Sequence, residues 1–221
     1  MDLTQLSCED FLSRLASKAP APGGGGAAAL VGAAGVALGN MVGNLTTGKK
    51  KYSAVEEEIL ALNARAETLC KRLEALVQAD ADAFTPLAAA YGLPRETPEQ
   101  QARKAAVLAE ALDGACAVPL EGMTACGEGI ALAAEYAEKG SVLARSDAGC
   151  AALFCKAAMQ AAGLNVKVNT RLMADKAHAD ALEARAEQLL AEFVPQADRV
   201  YQTVSNAVSY THLRAHETPE H

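Results

Sequence analysis

One acid interrupts an otherwise apolar seam. After Ser53 the residues Val55, Ile59, Leu62, Ala66, Leu69, Leu73 and Leu76 recur at alternating steps of four and three, and the next two places fall on Asp80 and Ala83. A carboxylate on a buried helix face is costly unless a cation or hydrogen-bond donors meet it, so Asp80 is the residue whose position most suggests chemistry. Asp82 lies off the seam and is expected in water. Periodicity alone leaves a second reading open, in which the seam ends two turns early and Asp80 is exposed as well.

Other polar groups stand near helix ends. Lys49, Lys50 and Lys51 form a cationic run before a helix start, although such a run is commonly a solvated loop. Gly23, Gly24, Gly25 and Gly26 precede a helix whose free N–H groups can hold a carboxylate or an oxyanion. The lysines follow more than twenty residues later, so the Walker phosphate-loop pattern is absent. Arg145 and Asp147 stand at another helix start, where capping alone accounts for them. Asn165 and Asn169 share a face if the segment is helical and can pin a turn if it is not.

Metal chemistry is not expected. The six cysteines are scattered without CxxC spacing and read as buried, reduced thiols, and His178 is the sole histidine outside the C-terminal tail. A net charge of −7 argues against a nucleic-acid partner, because phosphate binding wants a basic face. The first residues carry acids where a signal peptide carries a basic segment, so a cytoplasmic location is expected. Residues 209–221, "SYTHLRAHETPEH", lack apolar periodicity. They resemble the translated read-through of a sequencing adapter, the competing reading being a native frayed tail, and they are set apart from a domain spanning residues 1–208.

The elements that must position these groups all read as helices. Ser7 with Asp10, Ser53 with Glu56, and Thr97 with Gln100 have the spacing of capping boxes, and Pro98 stands at a first helical position. A helix is expected over Ala27–Leu45, another from Ser53, and a third from Thr97 that Pro119 should kink or divide. Gly140 ends the next. Ser146 or Asp147 can cap a helix through Ala162, Gly163 interrupts it, and a final helix fills Thr170 to about Ala207. Only "NVKVN", Asn165–Asn169, alternates like a strand. With 51% apolar residues, 4% aromatics and abundant Ala, the chain reads as an all-α, single-domain bundle of long helices.

The uncharged run from Ala19 to Gly48 has the length of a membrane span. However, Ala and Gly supply most of it and Asn40 and Asn44 interrupt it, so no membrane insertion is expected. Gly32, Gly35, Gly39 and Gly43 line one face, as small residues do where a second helix comes close, within the chain or across a homodimer.

The segments "PAPGGGGAAALVGAAG", "LTTGKKKY", "LVQADADAF", "LPRETPEQQARKAAVLAEAL…AVPL", "GSVLARSD" and "NVKVNTRLMAD" occur in this order. The series resembles the cyclodeaminase/cyclohydrolase family, from Leu6 to about Val204. The resemblance implies an all-helical homodimer acting on the one-carbon unit between N5 and N10 of tetrahydrofolate. Cyclohydrolases open the 5,10-methenyl form with water to give 10-formyltetrahydrofolate, and cyclodeaminases close the 5-formimino form and expel ammonia. A third possibility is an inactive helical dimer on the same scaffold. The resemblance implies no cofactor beyond the reduced folate. It casts Asp80 as the proton-transfer or cation-stabilising carboxylate, Lys50 as a catalytic or tail-binding cation, and Gly23 to Gly26 as a close-approach loop. It assigns Lys49, Tyr52, Arg145, Asp147, Asn165 and Asn169 to substrate binding.

Overall fold

The architecture is that of a computed structural model, which describes residues 2–215, with side chains through Ala207. Six α-helices follow in order: α1 (Cys8–Leu15), α2 (Gly24–Asn44), α3 (Glu56–Tyr91), α4 (Pro98–Lys139), α5 (Arg145–Thr170) and α6 (Lys176–Ala215). Short 3₁₀ turns accompany them, and no strand occurs among the described residues. The all-α reading holds.

Two helix starts follow the capping expectation. Ser7 Oγ accepts the Asp10 N–H at 3.1 Å, and the Thr97–Gln100 pair forms a reciprocal box at the head of α4. Ser53 is different. It lies inside a 3₁₀ turn, Lys50–Val55, and α3 opens at Glu56 with no side-chain cap. Gly48, at φ +72°, turns the chain so that its own N–H reaches Glu56 Oε1 at 2.9 Å, and Glu56 therefore caps the loop rather than the helix. At α5 the residue ahead of the helix is Ala144, and Ser146 and Asp147 fall within the first turn.

Pro119 neither ends nor divides α4. A proline lacks the N–H that would bond the carbonyl four residues earlier, which here is Ala115. The Asn169 side chain takes that place, donating Nδ2–H to the Ala115 carbonyl at 2.8 Å. Gly163 likewise fails to break α5, because Met123 and Leu190 pack against it, and Val166 within "NVKVN" is fully buried. The last helix starts at Lys176 instead of Thr170. Its helical backbone continues to Ala215, and the rest of the tail set apart above, residues 216–221, lies outside the described residues.

α2 runs through the middle of the bundle, antiparallel to both α3 and α5. Gly26 meets Val77 and Gly43 meets Asn63 on α3, while Gly24 meets Asn165 and Gly35 meets Ala151 on α5. The glycine stripe is therefore satisfied inside the chain. Beyond the main core, one small cluster joins Leu3, Phe11, Ala29 and Val77, and another joins Leu87, Leu112, Cys116 and Met173. The cysteines are free thiols. Cys116, Cys126 and Cys155 are buried, whereas Cys8 and Cys150 are exposed, so the expectation of uniform burial is corrected.

At Gly43 the approach is closest. The Tyr136 hydroxyl donates to Asn63 Oδ1 at 2.9 Å, Asn63 Nδ2–H donates to Asn44 Oδ1 at 3.0 Å, and a Cβ on Gly43 would overlap the Asn63 amide. Gly43→Ala is expected to lower unfolding free energy by about 1–3 kcal/mol, the usual range for overpacking. Urea denaturation checks this, and a variant as stable as the parent would show that the Asn63–Tyr136 pair moves aside freely.

Candidate functional site

Asp80 lies between the two small apolar clusters. The seam does not stop before it, because Leu87 and Ala90 further along α3 are again buried. Asp80 is half-buried, Val77 replaces Leu76 as the inward residue one turn earlier, and Asp82 is exposed with Gln78 Nε2 donating to its Oδ1 at 2.8 Å.

The group that meets the Asp80 carboxylate is the N-terminus of α2. Gly23 is the N-cap and offers no side-chain cap. The N–H of Gly26, in the first turn, donates to Asp80 Oδ2 at 2.7 Å. Gly25 must be glycine at this point, since a Cβ there would overlap the same carboxylate. Burial pushes the Asp80 pKa up from the ordinary aspartate value, and the Gly26 N–H pulls it part of the way back. The result is a carboxyl group that holds its proton more readily than an ordinary aspartate.

A cavity of about 210 Å³ opens at this carboxylate. Gly23, Gly24 and Gly25 line one side, Asp80, Phe84 and Leu87 of α3 another, and Asn165, Val168 and Asn169 of α5 a third. Asn165 Nδ2–H donates to the Ala161 carbonyl at 2.9 Å, which directs the rest of its amide toward Gly24. Asn169 is committed to Ala115, as described above. The walls otherwise are apolar, so the site pairs one proton-exchanging acid with amide groups and flat hydrocarbon surface.

The structure thus brings together Asp80, Gly23 to Gly26, Asn165 and Asn169. It does not bring the remaining candidates to them within one chain. Lys49, Lys50, Lys51 and Tyr52 follow the C-terminal end of α2, which its 21 residues place about 30 Å from Gly24. The Tyr52 hydroxyl oxygen accepts the Val142 N–H at 3.0 Å and ties that loop to the α4–α5 connection, and Lys51 Nζ stands 5.4 Å from the Tyr52 ring centre. Asp147 sits in the first turn of α5 at the same end. Arg145 lines a separate groove with Glu138 and Arg199, and its Nε is buried without a hydrogen-bond partner. Within one chain the candidate residues therefore stand in two groups, at the two ends of α2 and α5, held apart by the length of those helices.

Sequence reasoning did not assign Phe84 and Val168, which form cavity walls. The signal was spacing, since Phe84 is one turn beyond Asp80 and Val168 lies between the two asparagines. Among the described residues no group of three His, Cys, Asp or Glu side chains is placed to hold a metal ion.

Known proteins share this arrangement of helices. A family profile described as formiminotransferase-cyclodeaminase matches residues 7–188. A methenyltetrahydrofolate cyclohydrolase from Methylorubrum extorquens is 45% identical over 201 residues, covering 91% of this chain and 97% of that protein. The formimidoyltransferase-cyclodeaminase of Mus musculus is 33% identical over 88% of this chain, which spans only 36% of that longer protein. The crystal structure of a formiminotetrahydrofolate cyclodeaminase from Thermotoga maritima superposes with a TM-score of 0.77 at 28% identity, covering 94% of this chain and 98% of that one. On these matches the chain belongs to the formiminotransferase-cyclodeaminase family.

Proposed function

We propose that this chain hydrolyses 5,10-methenyltetrahydrofolate to 10-formyltetrahydrofolate, with Asp80 as its acid–base carboxylate. The observation that carries this reading is the Asp80 carboxylate itself, half-buried at the N-terminus of α2 and held by the Gly26 N–H at the edge of an apolar cavity. Burial leaves that carboxylate short of opposite charge, and the cationic N5–C–N10 bridge of the substrate supplies it.

Water adds to the bridging carbon, forming a C–O bond while the π pair moves onto nitrogen and cancels the positive charge. Asp80 takes one proton from the attacking water. The C–N5 bond then breaks, Asp80 returns its proton to N5, and the remaining hydroxyl proton leaves to solvent as the formyl C=O forms on N10. Asn165 and the first-turn N–H groups of α2 orient the reacting bridge, and Phe84, Leu87 and Val168 offer surface for the flat rings.

A second reading is supported by the relatives named as cyclodeaminases. There the same carboxylate would serve ring closure of 5-formiminotetrahydrofolate, with N10 attacking the formimino carbon and ammonia departing. Loss of methenyl absorbance, set against ammonia release from the formimino substrate, separates the two. An inactive scaffold predicts neither signal and no thermal shift with a reduced folate.

The proposal also places the protein in the cytoplasm as a homodimer, working without a metal or redox cofactor and without nucleic acid. α2 is long and apolar enough to cross a membrane by length and composition, but half of that window is enclosed by the bundle, which favours its role as a central packing helix.

Asp80→Asn keeps the shape of the side chain and an acceptor for Gly26, and removes the proton exchange. Its kcat/KM is expected to fall roughly 10²–10⁴-fold, the usual contribution of positioned acid–base groups, and kinetics like the parent's would remove Asp80 from the mechanism. The raised pKa makes two further outcomes testable. The acid limb of the parent's kcat/KM profile should lie above the ordinary aspartate range, since activity needs the ionised form. A carboxyl whose folded pKa is raised favours folding at low pH, and that contribution is lost as pH rises through the folded value. Asp80→Asn should therefore be more stable than the parent at neutral pH, with the gap closing on acidification, as urea titrations across pH would show.

A further inference from the structure

We infer that Asn169 is a positioning residue for the Asp80 cavity, acting through the Ala115 carbonyl that Pro119 leaves without its helical donor, rather than a group that binds the substrate. For its kinetic assay this rests on the folate reading above; its unfolding assay does not.

Pro119 is buried in the interior of α4. Its ring removes the N–H that a continuous helix would offer to Ala115, and it presses the Ala115 carbonyl away from its ordinary place on the helix. Ala115 is half-buried and lines the Asp80 cavity. A carbonyl left bare at that place would have to turn into the cavity or draw water to itself, since a buried acceptor without a donor is costly. The Asn169 Nδ2–H, donated at 2.8 Å, removes that need.

The two asparagines of the cavity therefore differ. Asn165 donates to the Ala161 carbonyl, which already receives the main-chain N–H four residues on within α5. Asn165 can give up its bond to a substrate and orphan nothing. Asn169 cannot, because the Ala115 carbonyl has no N–H from residue 119 to fall back on.

What the bond holds is the last turn of α5, where a helix has fewest internal bonds of its own. Val168, beside Asn169, is a wall of the cavity, and Asn165 stands one turn earlier. On the opposite side Thr170 is buried, and its hydroxyl donates to Glu183 of α6. Asn169 thus fixes this turn to α4 while Thr170 fixes it to α6, and together they set where Val168 and Asn165 face Asp80.

A double-mutant cycle on the full-length chain tests the pair. Pro119→Ala returns an N–H to the Ala115 carbonyl, so Asn169 should become nearly dispensable in that background. In urea, Asn169→Ala alone is expected to raise the unfolding equilibrium constant roughly tenfold to a hundredfold, the cost of one orphaned buried acceptor. Added to Pro119→Ala, the same change should raise it less than about threefold. Kinetics are read without urea, where circular dichroism shows each variant folded, so that lost turnover reports position instead of unfolding. There Asn169→Ala should lower kcat/KM for 5,10-methenyltetrahydrofolate roughly 10–10²-fold, as a small misplacement of a cavity wall does. Pro119→Ala should stay within about twofold of the parent, and the double variant within about threefold of Pro119→Ala. Equal losses in both backgrounds would make Asn169 a direct substrate contact and overturn the inference, as would an Asn169→Ala enzyme with parental kcat and KM. If Asn169→Ala alone does not fold, the double variant must fold, and failure of both overturns the inference as well. A parent inactive on the methenyl substrate would instead end the folate reading, and the unfolding cycle, which uses no substrate, still decides whether Asn169 acts through Ala115.

Discussion

The structure depends on a carboxylate brought from one helix to the bare N-terminus of another. Helix starts are usually capped by a Ser, Thr, Asp or Asn just ahead of them, whose side chain takes an N–H of the first turn. α2 has Gly23 in that position and no side-chain cap, so the Gly26 N–H is left for Asp80, fifty-four residues away in sequence. The four glycines thus act less as a flexible loop than as a place without side chains. A methyl on Gly25 would occupy the carboxylate's position, and Gly24 lies beside Asn165. α2 bears no charge of its own, so its terminal dipole is the compensation it can offer to a buried acid. That is enough to hold Asp80 but not enough to return its pKa to the ordinary range.

A mechanical frame keeps the three helices in register around that contact. Pro119 would ordinarily weaken α4 by orphaning the Ala115 carbonyl, yet Asn169 supplies the missing donor and, in doing so, fastens α5 to α4 beside the cavity. On one side of Asp80 the cluster of Leu87, Leu112, Cys116 and Met173 anchors the far part of α3. On the other, Leu3 and Phe11 press the N-terminal segment onto Ala29 and Val77, and the Leu3 N–H donates to Gln78 Oε1 at 2.8 Å. The acid is flanked by apolar packing on both sides, which limits how far it can move toward water.

Much of this could be read from residue types and spacing, and what could not has identifiable causes. The helical class and the Ser7 and Thr97 caps follow from local periodicity and hydrogen-bond chemistry, which are properties of short windows, whereas periodicity left open which way Asp80 turns. The continuity of α4 and α5 does not. Pro119 is rescued by an asparagine from another helix, and Gly163 and "NVKVN" stay helical because tertiary contacts bury Val166 and enclose Gly163. Ser53 failed as a cap because Gly48 redirected Glu56, a competition between neighbours that spacing alone cannot rank. The division of the candidate residues between two ends of α2 was hidden for a simpler reason, since order along a chain carries no length until the helices are fixed.

Composition links these features. A chain with 4% aromatics and many alanines and glycines lets helices approach until backbones nearly touch. Gly32 sits against Cys126 and Leu73, and Gly35 against Cys155 and Ala151, leaving little empty volume between α2 and its neighbours. Such a bundle cannot enclose a folate-sized molecule in its centre, so its chemistry must lie where helix ends diverge. The N-terminus of α2 is such a place, and it also provides the N–H donors that a buried carboxylate requires. Tight packing and the position of the acid therefore have one cause, the small side chains that bring α2 against α3 and α5.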